Sequence, residues 1–258
     1  METVNTYVLV HGGWHGAWCW NRVVSLLEDA GQKVVARDLP GHGADLIPLA
    51  ARPFELYVPS LCKVLEELER QAILVGHSSG GMIITEAAAR LPFRVKGLVY
   101  LSAFLLPPGQ TPLQVMQFDT ESILRSSLVI DNAKGVSTVS RDLARSVFYG
   151  DCAEADAEWA ISQLQPEPLI PRVLPASAPP AAATQTGIPR FYIECLQDRA
   201  LGPKTQKWMY TESPCDAVYS LPTSHSPFLS APASVTECLL GIGRKLDRTA
   251  APEVAPSS

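Results

Sequence analysis

The run Leu74-Val75-Gly76-His77-Ser78-Ser79-Gly80-Gly81 carries the spacing G-x-S-x-G. Small residues cluster often, so the spacing alone says little. Its setting says more. An apolar, strand-like run (72–75) leads into it, and a helical pattern opens at Gly80. A strand–turn–helix of this kind lifts a serine above a sheet and sets it at the positive end of the following helix. Gly76 and Gly80 supply the small neighbours such a turn needs. Ser78 is therefore the candidate nucleophile, against the plain alternative of a glycine-rich turn with an incidental serine. Ser79 sits one place off the turn, and its backbone N–H is the candidate oxyanion donor.

A serine hydroxyl needs a base to take its proton, and histidine has a suitable pKa. The chain has five histidines: His11, His15, His42, His77 and His225. With this elbow the chain order is nucleophile, acid, histidine. Only His225 follows Ser78, in a loop directly after the last strand-like run. The acid should follow the preceding strand, and Asp198 does so. Glu194 lies inside that strand run and Asp216 starts the last strand at its wrong end, so Asp198 is favoured over both. It would hold the His225 tautomer and stabilise the imidazolium. A loop carboxylate paired with Arg199 is its plain alternative.

Negative charge builds on the carbonyl oxygen in acyl transfer, and preorganised N–H groups stabilise it. Besides Ser79, the loop Val10-His11-Gly12-Gly13-Trp14-His15-Gly16 should supply one. Gly13 is the first choice and Trp14 the second. His11, His15 and His42 read as loop histidines making local hydrogen bonds, and His77 reads as a packing residue.

The elements that must position these groups follow a βα rhythm. Strand runs at 7–10, 33–36, 72–75 and 95–101 alternate with helical patterns at 18–30, 54–70 and 80–90. That order implies an α/β fold with a parallel sheet covered on both faces. The rhythm breaks after Phe104. Residues 106–187 read as helices and loops without a clear strand, ending in the Pro/Ala-rich stretch 174–183. Strand, helix, strand and a closing helix then resume at 190–194, 204–210, 216–221 and 231–246. The expected organisation is a core of 1–105 and 188–248, a helical cap of 106–187 and a disordered tail of 249–258. An insertion at the carboxyl ends of parallel strands lies over the ligand site. Trp14, Phe104, Leu105, Met116, Phe118, Phe148 and Trp159 are candidates for its walls, each weighed against plain core.

The chain has 258 residues, a length that suits one domain, with 47% apolar and 18% charged residues. Its net charge of −5, without a basic run, argues against nucleic acid as partner. No run reaches the roughly 18 apolar residues of a membrane span. The start resembles no signal peptide, which points to a cytoplasmic address. The six cysteines are scattered, without metal-ligand spacing, and read as free thiols. No metal or organic cofactor is implied, because a triad and oxyanion hole suffice.

The segments 8–18 and 38–43, with Val75-Gly76-His77-Ser78 and Gln197-Asp198, resemble one branch of the α/β-hydrolases: plant methyl esterases, the salicylate-binding methyl esterase and the hydroxynitrile lyases. The resemblance covers most of the chain outside the insertion and tail. It implies a triad of Ser78, Asp198 and His225 with donors at Gly13 and Ser79, and it also implies a homodimer. The lyases of this branch carry threonine, glutamate and lysine where this chain has Gly12, His77 and Ser226. Without that lysine nothing obvious holds departing cyanide. The expected activity is hydrolysis of a small-molecule carboxylic ester. A lyase and a non-catalytic small-molecule binding protein stand as the alternatives.

Overall fold

The computed structural model describes residues 3–44, 54–169 and 187–250. The core opens with β1 (Thr6–Val10), α1 (Asn21–Asp29) and β2 (Lys33–Ala36), followed by α2 (Tyr57–Glu67) and β3 (Ala72–His77). Next come α3 (Gly80–Arg90) and β4 (Val95–Leu101). The insertion then holds α4 (Pro112–Phe118), α5 (Leu124–Ser127), β5 (Leu128–Asp131), β6 (Val136–Val139), α6 (Arg141–Phe148), α7 (Glu154–Gln163) and β7 (Glu167–Pro168). The core resumes with β8 (Arg190–Cys195), α8 (Pro203–Glu212), β9 (Ala217–Leu221), α9 (Pro227–Ser230) and α10 (Pro232–Ala250).

Six strands form one parallel sheet in the order β2-β1-β3-β4-β8-β9. β3 lies inside it, in register with β1 (Val75 beside Leu9) and with β4 (Val75 beside Val99). All six residues of β3 are buried. The period-2 alternation of side chains divides the core. Tyr7, Leu9, Ile73, Val75, Val99 and Leu101 face one cluster with α1 and α10, through Val23, Leu27, Leu239 and Ile242. Val8, Val10, Leu74, Leu98 and Tyr100 face a second cluster with α2 and α3, through Leu61, Leu65, Ile83 and Ala87. Burial on both faces explains the nearly continuous apolar strands. Each fully buried Leu, Ile or Val contributes about 1.5–3 kcal/mol relative to exposure.

The insertion departs from the expectation of helices and loops without a clear strand. It contains a three-stranded antiparallel sheet in the order β5-β6-β7, with Leu128 opposite Val139 and Ser137 opposite Glu167. These strands have four, four and two residues, too short to set up a long periodic pattern. The expected tail is also shorter than supposed: α10 runs on through Thr249 and Ala250. The Pro/Ala stretch 174–183 and residues 251–258 lie outside the described residues. Among the described residues no helix is long and apolar enough to cross a membrane.

Several bonds seat the insertion on the core. Gly202 N–H donates to Asp119 Oδ2 at 2.7 Å, and Ile123 N–H donates to the Arg199 carbonyl at 2.9 Å. Arg22 makes a two-pronged contact with Asp156, at 2.6 and 2.9 Å. These bonds hold the insertion at the carboxyl end of the parallel strands, where β3 delivers Ser78.

Candidate active site

β3 ends at His77 and the chain turns sharply at Ser78, which has φ of 52°. A left-handed, non-glycine backbone costs about 1–3 kcal/mol and persists only where its surroundings fix it. The fixing bonds are visible. Ser78 N–H donates to the Leu101 carbonyl at 3.4 Å, and the Ser78 carbonyl accepts from Phe104 N–H at 3.0 Å and Gly81 N–H at 3.1 Å. The flanking glycines are steric requirements. A Cβ on Gly76 would lie 2.6 Å from the Gly80 carbonyl oxygen, and one on Gly80 would lie 2.7 Å from the Val10 carbonyl oxygen. The G-x-S-x-G spacing is thus what lets β3, α3 and β1 meet under the serine.

The structure brings Asp198 and His225 together. His225 Nδ1 lies 2.7 Å from Asp198 Oδ2, both side chains being buried. A carboxylate only accepts, so Nδ1 carries a proton, and in the neutral ring Nε2 is the nitrogen with the lone pair. That Nε2 is buried and has no hydrogen-bond partner among the described residues. Asp198 pairs with no arginine among the described residues. Its Oδ1 accepts from Ala200 N–H at 2.7 Å and Leu201 N–H at 2.9 Å, and Gln206 Nε2 donates to Oδ2 at 3.1 Å. The rivals are occupied elsewhere: Glu194 accepts from Ser220 Oγ and Tyr210 Oη, and Asp216 accepts from Arg190 N–H.

The His225 loop has its own support. His77 Nε2 donates to the His225 carbonyl at 2.9 Å, and Ser102 Oγ donates to the same oxygen at 3.3 Å. The His77 and His225 rings lie 4.6 Å apart. Burial, then the neighbouring His225, holds the His77 imidazole well below its ordinary pKa, so it stays neutral. His77 therefore does more than pack. Neither its role nor that of Gln206 had a local sequence signal, because their partners lie far along the chain.

The first loop is set by three side chains. Leu39 N–H donates to His11 Nε2 at 3.0 Å, so His11 carries its proton on Nδ1 and donates it to the Gly12 carbonyl at 2.8 Å. In a trans peptide the C=O and the next N–H point in opposite directions. Holding the Gly12 carbonyl therefore turns the Gly13 N–H to the other side. His15 Nδ1 lies 2.8 Å from the Gly13 carbonyl, and Tyr149 Oη lies 2.8 Å from His15 Nε2. Burial pushes His11 down to about 4 and His15 to about 3, which keeps both neutral donors to these carbonyls.

The N–H of Trp14 is taken: it donates to Glu167 Oε2 at 3.0 Å. This removes the second-choice oxyanion donor. The Gly13 and Ser79 N–H groups have no acceptor in the loop and cap bonds of the described residues. Ser79 also precedes α3, where the first N–H groups lack helical partners. The close approach in this loop falls at Gly12, whose Cβ would lie 2.7 Å from Ser78 Cβ. At Gly13 the nearest atoms to a Cβ would be those of Glu167, at an ordinary 3.5 Å.

The candidate wall residues divide. Phe148 is buried, with its ring 5.7 Å from that of His225 and 5.9 Å from that of Trp14. Phe104 and Leu105 are buried beside the elbow, and Met116 is half-buried. Two candidates fall away. Phe118 is 67% exposed and rests on Trp208, while Trp159 is 42% exposed and rests on Trp18. Both lie on outward helix faces, a placement their residue type could not reveal. Glu167 is the reverse case, a buried carboxylate that no motif marks. All six cysteines are free, and no group of three His, Cys, Asp or Glu among the described residues could hold a metal.

Residues 7–237 match the alpha/beta hydrolase family. The pyrethroid hydrolase of Sphingobium wenxiniae is 35% identical, over 92% of this chain and 87% of its own. A chloroplastic relative from Arabidopsis thaliana is 32% identical over 95% of this chain, which spans 65% of that longer protein. The crystal structure of a methylesterase from Arabidopsis superposes with a TM-score of 0.78 at 26% identity, covering 94% of this chain and all of the other. On the match across most of its length, with the six-stranded parallel sheet and the elbow at Ser78, this chain belongs to the alpha/beta hydrolase family.

Proposed function

We propose that this protein is a serine hydrolase that cleaves small carboxylic esters through an acyl-enzyme on Ser78. The observation that carries the reading is the state of His225. Its Nδ1 is locked on Asp198, and its buried Nε2 has no hydrogen-bond partner among the described residues. In this reading Nε2 takes the Ser78 proton as Oγ attacks the ester carbonyl. The tetrahedral oxyanion is held by the N–H groups of Gly13 and Ser79. The His225 imidazolium then gives its proton to the departing alkoxide, releasing the alcohol. Water, activated by the same Nε2, attacks the acyl-enzyme and frees the acid. Asp198 orients the His225 ring and stabilises the imidazolium.

The insertion acts as a cap, with Phe148 and Trp14 as apolar walls beside His225. The named relatives, a pyrethroid hydrolase and a methylesterase, support ester substrates. Against the lyase, a threonine at position 12 would press its Cβ on Ser78, and Ser226 offers no ammonium. A cytoplasmic address and a homodimer remain parts of the proposal, to be tested by fractionation and light scattering. The function itself is tested with a panel of methyl and p-nitrophenyl esters. Turnover of at least one ester that vanishes in Ser78→Ala supports it; undiminished turnover by that variant refutes it.

A further inference from the structure

The geometry points to Glu167 as a positioning residue for the oxyanion hole, supplied by the cap, so that the hole is complete only with β7 seated against the first loop. This rests on the ester-hydrolase reading above and adds a residue to it.

Two consecutive peptide units flank Gly13. In the first, the Gly12 carbonyl is held by His11, and the opposed Gly13 N–H has no acceptor among the described residues. In the second, both ends are held: the Gly13 carbonyl by His15, and the Trp14 N–H by Glu167. Gly13 lies between these units, so its N–H direction depends on both. Glycine does not restrict its own dihedrals. The restriction must come from the neighbouring bonds, and Glu167 makes the one that the core does not supply.

Trp14 would not rest there unaided. Its φ is 62°, a left-handed backbone that a bulky residue rarely adopts. Three contacts with the cap hold it: Trp14 N–H to Glu167 Oε2 at 3.0 Å, Gln165 N–H to the Trp14 carbonyl at 2.9 Å, and Trp14 Nε1 to the Ser137 carbonyl at 3.1 Å. The pairing of Ser137 with Glu167 across β6 and β7 places two of these partners on the same tryptophan.

Glu167 is itself fixed from the core. His42 Nε2 lies 2.8 Å from Oε2, and Tyr57 Oη donates to Oε1 at 3.1 Å. Burial works to raise its pKa, but the hydrogen bonds with His42 and the Trp14 N–H bring it below the ordinary value. The carboxylate thus joins the loop of His42, α2, the cap sheet and the oxyanion loop in one node. Gln165 adds a parallel tie, accepting from Gly43 N–H at 2.7 Å and donating to its carbonyl at 3.2 Å.

Reach, not charge, is what this role requires, and three variants separate them. Glu167→Gln keeps the length and an acceptor for Trp14 N–H. Glu167→Asp keeps the charge but withdraws the oxygens by one methylene. Glu167→Ala removes both. The kcat and KM for p-nitrophenyl acetate are measured with Tm as the folding control. Phenylboronic acid, which forms an anionic tetrahedral adduct on serine, reports the hole directly. Moving a donor by about 1 Å costs up to roughly a hundredfold in rate. The expected result is a fall in kcat of tenfold or more for Asp and Ala with KM nearly unchanged. Boronate affinity should fall in parallel, and Gln should stay within about threefold of wild type. Unchanged kcat in folded Ala or Asp overturns the proposal. So does a Gln variant that loses tenfold, which decides the matter even if the shorter variants do not fold. Wild-type protein without Ser78-dependent turnover would sink the ester-hydrolase reading first; turnover with no separation among the variants sinks only the role of Glu167.

Discussion

His77 Nε2 donates to the backbone carbonyl of His225 at 2.9 Å, so the residue before Ser78 holds the loop that carries the proposed base. The bond joins the end of β3 to the loop after β9, across 148 residues of chain. It ties the residue before Ser78 to the loop of the proposed base. The His77→Ala variant should lose about tenfold in kcat or more, with KM within twofold. His77→Gln, which can donate an amide N–H to the same oxygen, should recover part of the loss. Steady-state kinetics of the three proteins checks this, and an unchanged kcat in His77→Ala would remove His77 from the account.

Asp198 fixes which nitrogen of His225 is free. In Asp198→Asn the amide can offer an N–H to Nδ1, favouring the tautomer whose Nε2 is protonated and useless as a base. We expect kcat to fall by roughly 10³–10⁴-fold with little change in KM. Near-wild-type kcat would mean that another carboxylate orients His225.

Gly12 packs the first loop tightly against Ser78. Gly12→Thr places a Cβ 2.7 Å from Ser78 Cβ and 3.0 Å from His77 Nδ1, so the loop or the elbow must move. The expected cost is about 1–3 kcal/mol of stability, with a large fall in esterase turnover. Thermal unfolding and ester kinetics check both. A Thr variant with wild-type Tm and rate would show that the loop yields freely.

Part of this was legible in the sequence. The strand–turn–helix around Ser78 could be read because 72–75 is continuously apolar and Pro92 closes the helix beyond it. Asp198 and His225 followed from chain order. What escaped was set by long-range register. β5 and β6 do carry a signal, with Leu128-Val129-Ile130 and Val136-Ser137-Thr138-Val139 flanking a turn that ends in Gly135. Their shortness hid it among helical segments. Glu167 carries no signal, since its importance comes from lying opposite Ser137 and over Trp14. Phe118 and Trp159 misled because an aromatic residue on a helix does not declare which face is buried.

The buried histidines give stability a defined pH dependence. His11 is held to about 4 and His15 to about 3, against 6.5 for an unperturbed imidazole. Below pH 6.5 the unfolded chain takes up these protons while the folded protein does not, so stability falls with falling pH. For His11 the fall runs from 6.5 to about 4 and amounts to something on the order of 3 kcal/mol. The His15 contribution continues to about pH 3. Thermal unfolding between pH 7.5 and 4.5 should show a steadily dropping Tm, and His11→Asn should flatten the slope. A Tm independent of pH over that range would contradict the neutral, buried assignment.

An activated Ser78 nucleophile should react covalently with a serine-directed phosphonylating reagent. The protein is treated with a fluorophosphonate and the modified peptide is located by mass spectrometry. One label is expected, on Ser78, with parallel loss of ester turnover and no labelling of Ser78→Ala. A label on another residue, or full ester turnover after Ser78 has been modified, would contradict it.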